Sequence, residues 1–263
     1  MRYGFLIMAL LLAFNVSAIE LAGLYEVELV AKSDAAEDRE QAMKQALYAV
    51  LNRVVVSDDI AQLSIVQAML KKPISYVKQF QYVAMTEQTF NDQNARLLKI
   101  EFDEEQILNT LQQSQIAMWD EMRPQTLIWL VVEADGQQQV YNPETYPEFE
   151  MAFNLAGKVK GLPILFPLFD LDEQQAVPIS SVLNVDTAKL LAASARYEVN
   201  SVLAATITRH DDCWQGNWSL LFDGKVKQWS GLCQPLRATV LAGAQQVFQV
   251  LSNYYGARPL ASH

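Results

Sequence analysis

The sequence predicts a mixed α+β and α/β protein in two parts. The first is an α+β sandwich in the order β-α-α-β-β-α, and the second is an α/β layered unit whose mixed sheet ends in an antiparallel hairpin. Three observations predict this. Strand-period and helix-period segments alternate through the first hundred or so residues; Thr126 to Glu133 is an almost continuous apolar run; and Asp223-Gly224 separates two alternating segments near the C-terminus. A short continuous apolar run is the pattern of a strand covered on both faces, as in a parallel sheet.

The first strand is expected over Leu24 to Ala31, where Tyr25, Val27 and Leu29 alternate with Glu26 and Glu28. Ser33 or Asp34 then caps a helix with Met43, Leu47, Val50 and Val54 on one stripe. A second helix is expected from Asp58-Asp59 to Lys72-Pro73, with Ile60, Leu63, Val66 and Leu70 on one side. Two strands follow, over 77–89 and 95–102, joined by the turn residues Asn91 to Asn94. Asp103 with Gln106 three residues later forms a capping box for the helix through Ile107, Leu108 and Leu111. The polar stretch Gln112 to Gln115 marks a boundary, giving parts 19–115 and 116–263.

In the second part, the strand at Thr126 to Glu133 ends at Asp135-Gly136. Pro147 to Lys160 has helical spacing through Phe149, Phe153 and Ala156, and Gly161 ends it. Ile164 to Phe169 reads as a short buried strand. Asp186 caps a helix through Leu190, Leu191 and Ala195, and Ser201 to Thr208 is a strand. Pro235 suits the first position of a long helix carrying Leu236, Val240, Val247, Phe248 and Leu251, with Gly256 as its stop.

Cys213 and Cys233 are the only cysteines and flank the hairpin. A two-residue loop would pair Phe222 with Lys225 and set Trp214 opposite Cys233. A loop one residue longer, with Gly224 in a bulge, pairs Leu221 with Lys225 and Cys213 with Cys233. The second register sorts the faces better, with Trp214 opposite Leu232 and Leu220 opposite Val226. It predicts a cross-strand disulfide on the more polar face. The rival, a metal site built from His210, Asp211, Asp212 and Cys213, fails because adjacent residues on a strand cannot all turn to one ion.

The N-terminus sets the expected location. Met1-Arg2 precedes an apolar run from Phe5 to Phe14, and Val16-Ser17-Ala18 supplies small residues for a peptidase. That run, about ten residues, is half the length a bilayer span needs, so residues 1–18 read as a cleavable signal peptide with cleavage after Ala18. The mature chain is expected in the periplasm, without a transmembrane span and without a lipid-anchoring cysteine. With a net charge of −10 and scattered lysines, the composition argues against nucleic acid or an anionic membrane as a partner.

Several stretches, in order, carry a resemblance: Trp119 with Arg123-Pro124 and Thr126 to Val132; Gly161-Leu-Pro-Ile-Leu-Phe-Pro-Leu-Phe-Asp170; Ala195-Arg-Tyr197; and the Trp214/Trp218 hairpin. Together they resemble a family of exported proteobacterial proteins of unknown function. Ala195 to Phe222 is also similar in pattern, at fold level, to TolB N-terminal-like α/β domains. Neither resemblance implies a catalytic residue or a cofactor.

Signals for catalysis are thin. His210 and His263 are the only histidines, and neither a nucleophile elbow nor a glycine-rich phosphate loop occurs. His210, followed by two aspartates, reads as a turn residue. Asp170 and Asp172 follow the expected strand at Ile164 to Phe169, where α/β sheets place ligand crevices. With Arg123 and Arg196 they form the candidate ligand-binding set, against a reading of the arginines as structural ion-pair members. Five tryptophans raise the possibility of a glycan platform; core packing accounts for Trp129, Trp214 and Trp218, leaving Trp119 or Trp229 for an exposed stacking surface. The leading expectation is a non-catalytic interaction or adaptor module that recognises an envelope protein and needs no cofactor or metal. The alternatives are a small-ligand carrier with a cleft between the two parts, and an acid/base hydrolase using Asp170 and Asp172.

Overall fold

A computed structural model describes residues 18–20, 23–83, 96–119 and 122–256. The basic start, the apolar run of the expected signal peptide and the turn at Asn91 to Asn94 lie outside the described residues. The strands are β1 (Ala18–Glu20), β2 (Glu26–Ala31), β3 (Val77–Val83), β4 (Arg96–Phe102), β5 (Met122–Pro124), β6 (Thr126–Ala134), β7 (Gln137–Val140), β8 (Ile164–Leu165), β9 (Ser201–His210), β10 (Cys213–Phe222) and β11 (Lys225–Ser230). The helices are α1 (Ala36–Val54), α2 (Ser64–Met69), α3 (Glu104–Gln113), α4 (Pro147–Lys160), α5 (Leu171–Ala176), α6 (Ile179–Leu183), α7 (Thr187–Ser194) and α8 (Leu236–Tyr255). The architecture is mixed α+β, as expected.

The smaller sheet is antiparallel in the order β2-β4-β3. Val27, Leu98 and Ile100 bury one face against α1, whose Met43, Leu47, Val50 and Val54 form the facing stripe. On its other face Lys99 reaches Glu26 at 3.1 Å and Glu28 at 3.8 Å. The larger sheet runs β11-β10-β9-β6-β7, with β8 sharing the β7 flank of β6. β6 is parallel to β9 and β8 and antiparallel to β7. That central place explains the apolar run. Ile128, Leu130 and Val132 face α4 and α8, while Leu127, Trp129 and Val131 face Val177, Val182 and Leu190 on the α5–α7 side. A two-stranded ribbon, β1 with β5, pairs Ile19 with Arg123 and leads into β6.

The structure departs from the sequence reading at five places. The helix expected from Asp58 is broken into a 3₁₀ turn, Ile60–Gln62, and α2, because Asp59 accepts the Ala61 N–H and Leu63 is extended. Ala35, not Ser33 or Asp34, occupies the N-cap of α1; Ser33 Oγ accepts the Ala35 N–H and donates to Asp38. Ile164 to Phe169 forms only two residues of strand. Pro167 lacks the N–H a ladder needs, and Phe169 turns left-handed at φ 54°. Pro235 stands one position earlier than expected, as the N-cap of α8.

The hairpin register is the fifth. Phe222 pairs with Lys225 across a two-residue turn in which Asp223 and Gly224 both have positive φ, so the bulged register does not form. Trp218 faces Trp229, Ser219 faces Gln228 and Asn217 faces Ser230. The ladder then shifts by one, and Trp214 pairs with Gln234. The shift places Cys213 and Cys233 5.4 Å apart between Cα atoms, and they are disulfide-bonded. The expected bond is present, but the ladder leaves the turn on the two-residue register and reaches the cysteines on one that neither candidate described. Trp218 makes this packing selective: a Cβ at Gly216 or Gly243 would lie 2.5 or 2.6 Å from its indole.

Candidate functional site

Asp170, Arg196, Glu173 and Tyr197 form one network where the segment after β8 meets the end of α7. Asp170 is the N-cap of α5 and accepts the Glu173 N–H at 3.0 Å. Its other oxygen accepts from Arg196 Nη1 at 2.6 Å. The backbone N–H of Glu173 and the Arg196 guanidinium together hold the Asp170 carboxyl below the usual aspartate range. Arg196, raised in turn by Asp170, lies at the C-terminal end of α7 in a 3₁₀ turn, Ala195–Tyr197.

Glu173 is 3% exposed and was not singled out by its sequence context. It accepts the Phe169 N–H at 2.6 Å, stands 3.3 Å from Arg196 Nη1, and accepts from the Tyr197 hydroxyl. That hydroxyl accepts the Leu168 N–H at 2.8 Å. Burial, and then the bond to Glu173, push the Tyr197 phenol up. A buried carboxylate is tolerable only with several donors, and here the donors fix the backbone of Leu168 and Phe169. The signal for Glu173 in the sequence is its spacing three residues after Asp170, the capping-box pattern.

The pinned segment displays apolar side chains. Leu168 is 75% exposed and Leu171 74%, flanking the network on either side of Asp170. Asp172 is exposed in the first turn of α5. Of the four candidate ligand-binding residues, the structure therefore joins Asp170 with Arg196 and leaves Asp172 facing outward.

Arg123 lies elsewhere, fully buried beside the C-terminal ends of α1 and α4. Its guanidinium donates to the carbonyls of Lys160 (3.0 Å), Gly161 (2.7 Å), Arg53 (2.7 Å) and Trp119 (3.0 Å). It also lies 4.5 Å from the Trp119 ring centre. Arg53, 6% exposed, reaches the carbonyls of Lys158 at 3.0 Å, Leu24 at 3.0 Å and Glu26 at 2.9 Å. Lys160 Nζ bonds Asn52 Oδ1 at 2.8 Å, and burial lowers its ammonium to about 8. A groove of about 270 Å³ opens beside this cluster, with Leu24, Gly157 and Leu162 in its wall. Trp119 is fully buried and Trp229 stacks on Trp218 at 15°, so neither forms an exposed platform. His210 ends β9 beside the Asp211-Asp212 turn. Among the described residues, no helix is long and apolar enough to cross a membrane.

A family model described as a domain of unknown function, DUF8605, matches residues 18–120. The match spans β1 to α3 and, of the stretches that carried the resemblance above, includes only Trp119. No curated protein matches. Among solved structures, the C-terminal domain of LpoB from Salmonella enterica aligns at 12% identity over 43% of this chain and 82% of that one, with a TM-score of 0.28. At that score the alignment carries neither architecture nor activity across, and the similarity to an unknown-function domain is confined to residues 18–120.

Proposed function

We propose that the protein is a non-catalytic interaction module of the cell envelope, engaging an envelope protein through the ridge made by Leu168 and Leu171. The observation that carries this reading is the combination of exposure and fixation. Two leucines, each about three-quarters exposed, flank Asp170: the Leu168 N–H is held by Tyr197 and the Phe169 N–H by Glu173, and Leu171 opens α5 behind the Asp170 cap. Large apolar side chains held out on ordered backbone are the usual anchors of a protein interface, because little conformational freedom remains to be lost on docking. Each leucine buried in a partner pocket contributes about 2 kcal/mol, or some thirtyfold in affinity. The Cys213–Cys233 disulfide supports an oxidising space outside the cytoplasm, in keeping with the leader-like residues 1–18.

The test is site-specific photo-crosslinking in intact cells. A photoreactive residue at position 168 should yield one discrete adduct with an envelope protein, and the same residue at exposed Gln138 on β7 should not. Leu171→Asp should abolish the adduct while leaving the fold intact. Equal labelling from both positions, or an adduct indifferent to Leu171→Asp, would overturn the reading.

A further inference from the structure

The corrected hairpin register creates a second feature, distinct from the leucine ridge. Across β11, β10 and β9 it lines up Ser230–Asn217–Thr206 and, one pair along, Gln228–Ser219–Ala204. These rows lie on the sheet face that α6 covers over β6 and β9; on the β10–β11 side Asn217, Gln228 and Ser230 are exposed. The result is a groove of about 360 Å³ walled by Val182, Leu183 and Val185. None of its eleven lining residues is charged, in a chain where 19% of residues are.

The hydrogen-bond inventory of the groove is half used. Gln228 Nε2 donates to Ser219 Oγ at 3.0 Å, and Ser230 Oγ donates to Asn217 Oδ1 at 2.7 Å. Those bonds orient the amides and leave the Asn217 NH₂, the Gln228 carbonyl oxygen, the Ser219 hydroxyl proton and the Thr206 hydroxyl directed to other partners. Donors and acceptors thus alternate along an uncharged strip with an aliphatic wall beside it. A sugar ring presents the same alternation, since each hydroxyl both donates and accepts, and its C–H faces suit an aliphatic wall. A charged ligand would find no counter-charge in the groove. An extended peptide would instead seek the strand edge, and on β11 that edge carries Lys225 and Lys227, a common guard against pairing.

We propose that this groove is a binding site for an uncharged polyhydroxylated chain, a neutral glycan lying along β10. The experiment follows the side-chain amide resonances of Asn217 and Gln228 in the isotopically labelled full chain. The probes are chitotetraose, maltotetraose, tetragalacturonate and a Gly-Ser octapeptide. At least one of the two neutral saccharides should shift both amide pairs in the millimolar range, and tetragalacturonate and the peptide should not. The double variant Asn217→Asp with Gln228→Glu, at exposed positions that keep the fold, should weaken saccharide binding about tenfold or more. Amides unmoved by either neutral saccharide, equal shifts from the peptide or the charged sugar, or undiminished binding in the double variant would each overturn the proposal.

Discussion

The Tyr197 hydroxyl donates to Glu173 and accepts from the backbone of Leu168, so one phenolic oxygen couples a buried carboxylate to an exposed apolar residue. Tyr197→Phe removes both bonds while preserving the ring. It should cost about 1–2 kcal/mol in urea unfolding, because Glu173 loses a donor without leaving its buried place. Amide exchange at Leu168 and Phe169 should rise well above that of β6. Unchanged protection there would separate the ridge from the network.

Acid should act on the same segment late. Asp170 is held below the ordinary aspartate range by the Glu173 N–H and by Arg196. A depressed carboxyl contributes stability that is present above its unfolded value and is lost as pH falls through the folded one. The 168–171 backbone should therefore stay protected at pH 5 and open only below the usual aspartate titration, and Asp170→Asn should flatten that dependence. Exchange measured against pH checks it.

Lys160 behaves with the opposite charge logic. Burial lowers it to about 8, against roughly 10.4 in an unfolded chain. The folded state disfavours the ammonium, so stability rises as pH increases through this window. Below about 8 both states carry the proton, so the pH dependence vanishes and the cost of the buried ammonium is complete. Tyr141, pushed up to about 12 chiefly by burial, opposes this at high pH. The difference between the wild type and Lys160→Met isolates the lysine. The variant should be the more stable near pH 7, with its advantage shrinking towards pH 10.

Replacing both Cys213 and Cys233 with serine releases a loop whose ends are 20 residues apart. Loop-closure entropy puts the cost at about 3 kcal/mol, which paired urea titrations with and without reductant would read. Reduction of the native protein should reproduce the loss, and the serine variant should no longer respond to reductant.

Much of the architecture is legible because burial writes itself into side-chain periodicity. The run at Thr126 to Glu133 announces a strand covered twice, and Asp103 and Asp186 are N-caps whose side chains bond the backbone three residues on. The hairpin register was misread for an equally physical reason. Face-sorting assumes one register along the whole ladder, whereas this one shifts between Asn217 and Trp214. The acidic pair Asp170 and Asp172 was visible, but its use was not. Helix capping claims Asp170, and the buried partner is Glu173, whose exposure no local pattern reveals. Arg123 precedes a proline at the entrance to β6. That its acceptors are backbone carbonyls 37, 38 and 70 residues away is a tertiary fact without a sequence signature.

The same guanidinium explains why Gly161 is glycine. Its φ is 60°, and a Cβ there would stand 2.8 Å from Arg123 Nη1. Gly161→Ala should therefore cost more than the roughly 1 kcal/mol of left-handed strain alone, and Arg123→Lys about 3 kcal/mol or more, since an ammonium cannot fork to several carbonyls. Thermal unfolding of both variants gives the comparison.

Arg53 belongs to α1 yet holds the carbonyl of Lys158 in α4, while Arg123 belongs to β5 yet holds the carbonyl of Arg53. Each half of the polypeptide therefore lends the other one carbonyl, while Arg123 keeps those of Lys160, Gly161 and Trp119, and Arg53 those of Leu24 and Glu26, in its own half. Expressed apart, the two fragments would each leave one guanidinium N–H without its carbonyl, and mixing them should raise the melting temperature of both, which calorimetry of the fragments alone and together would read.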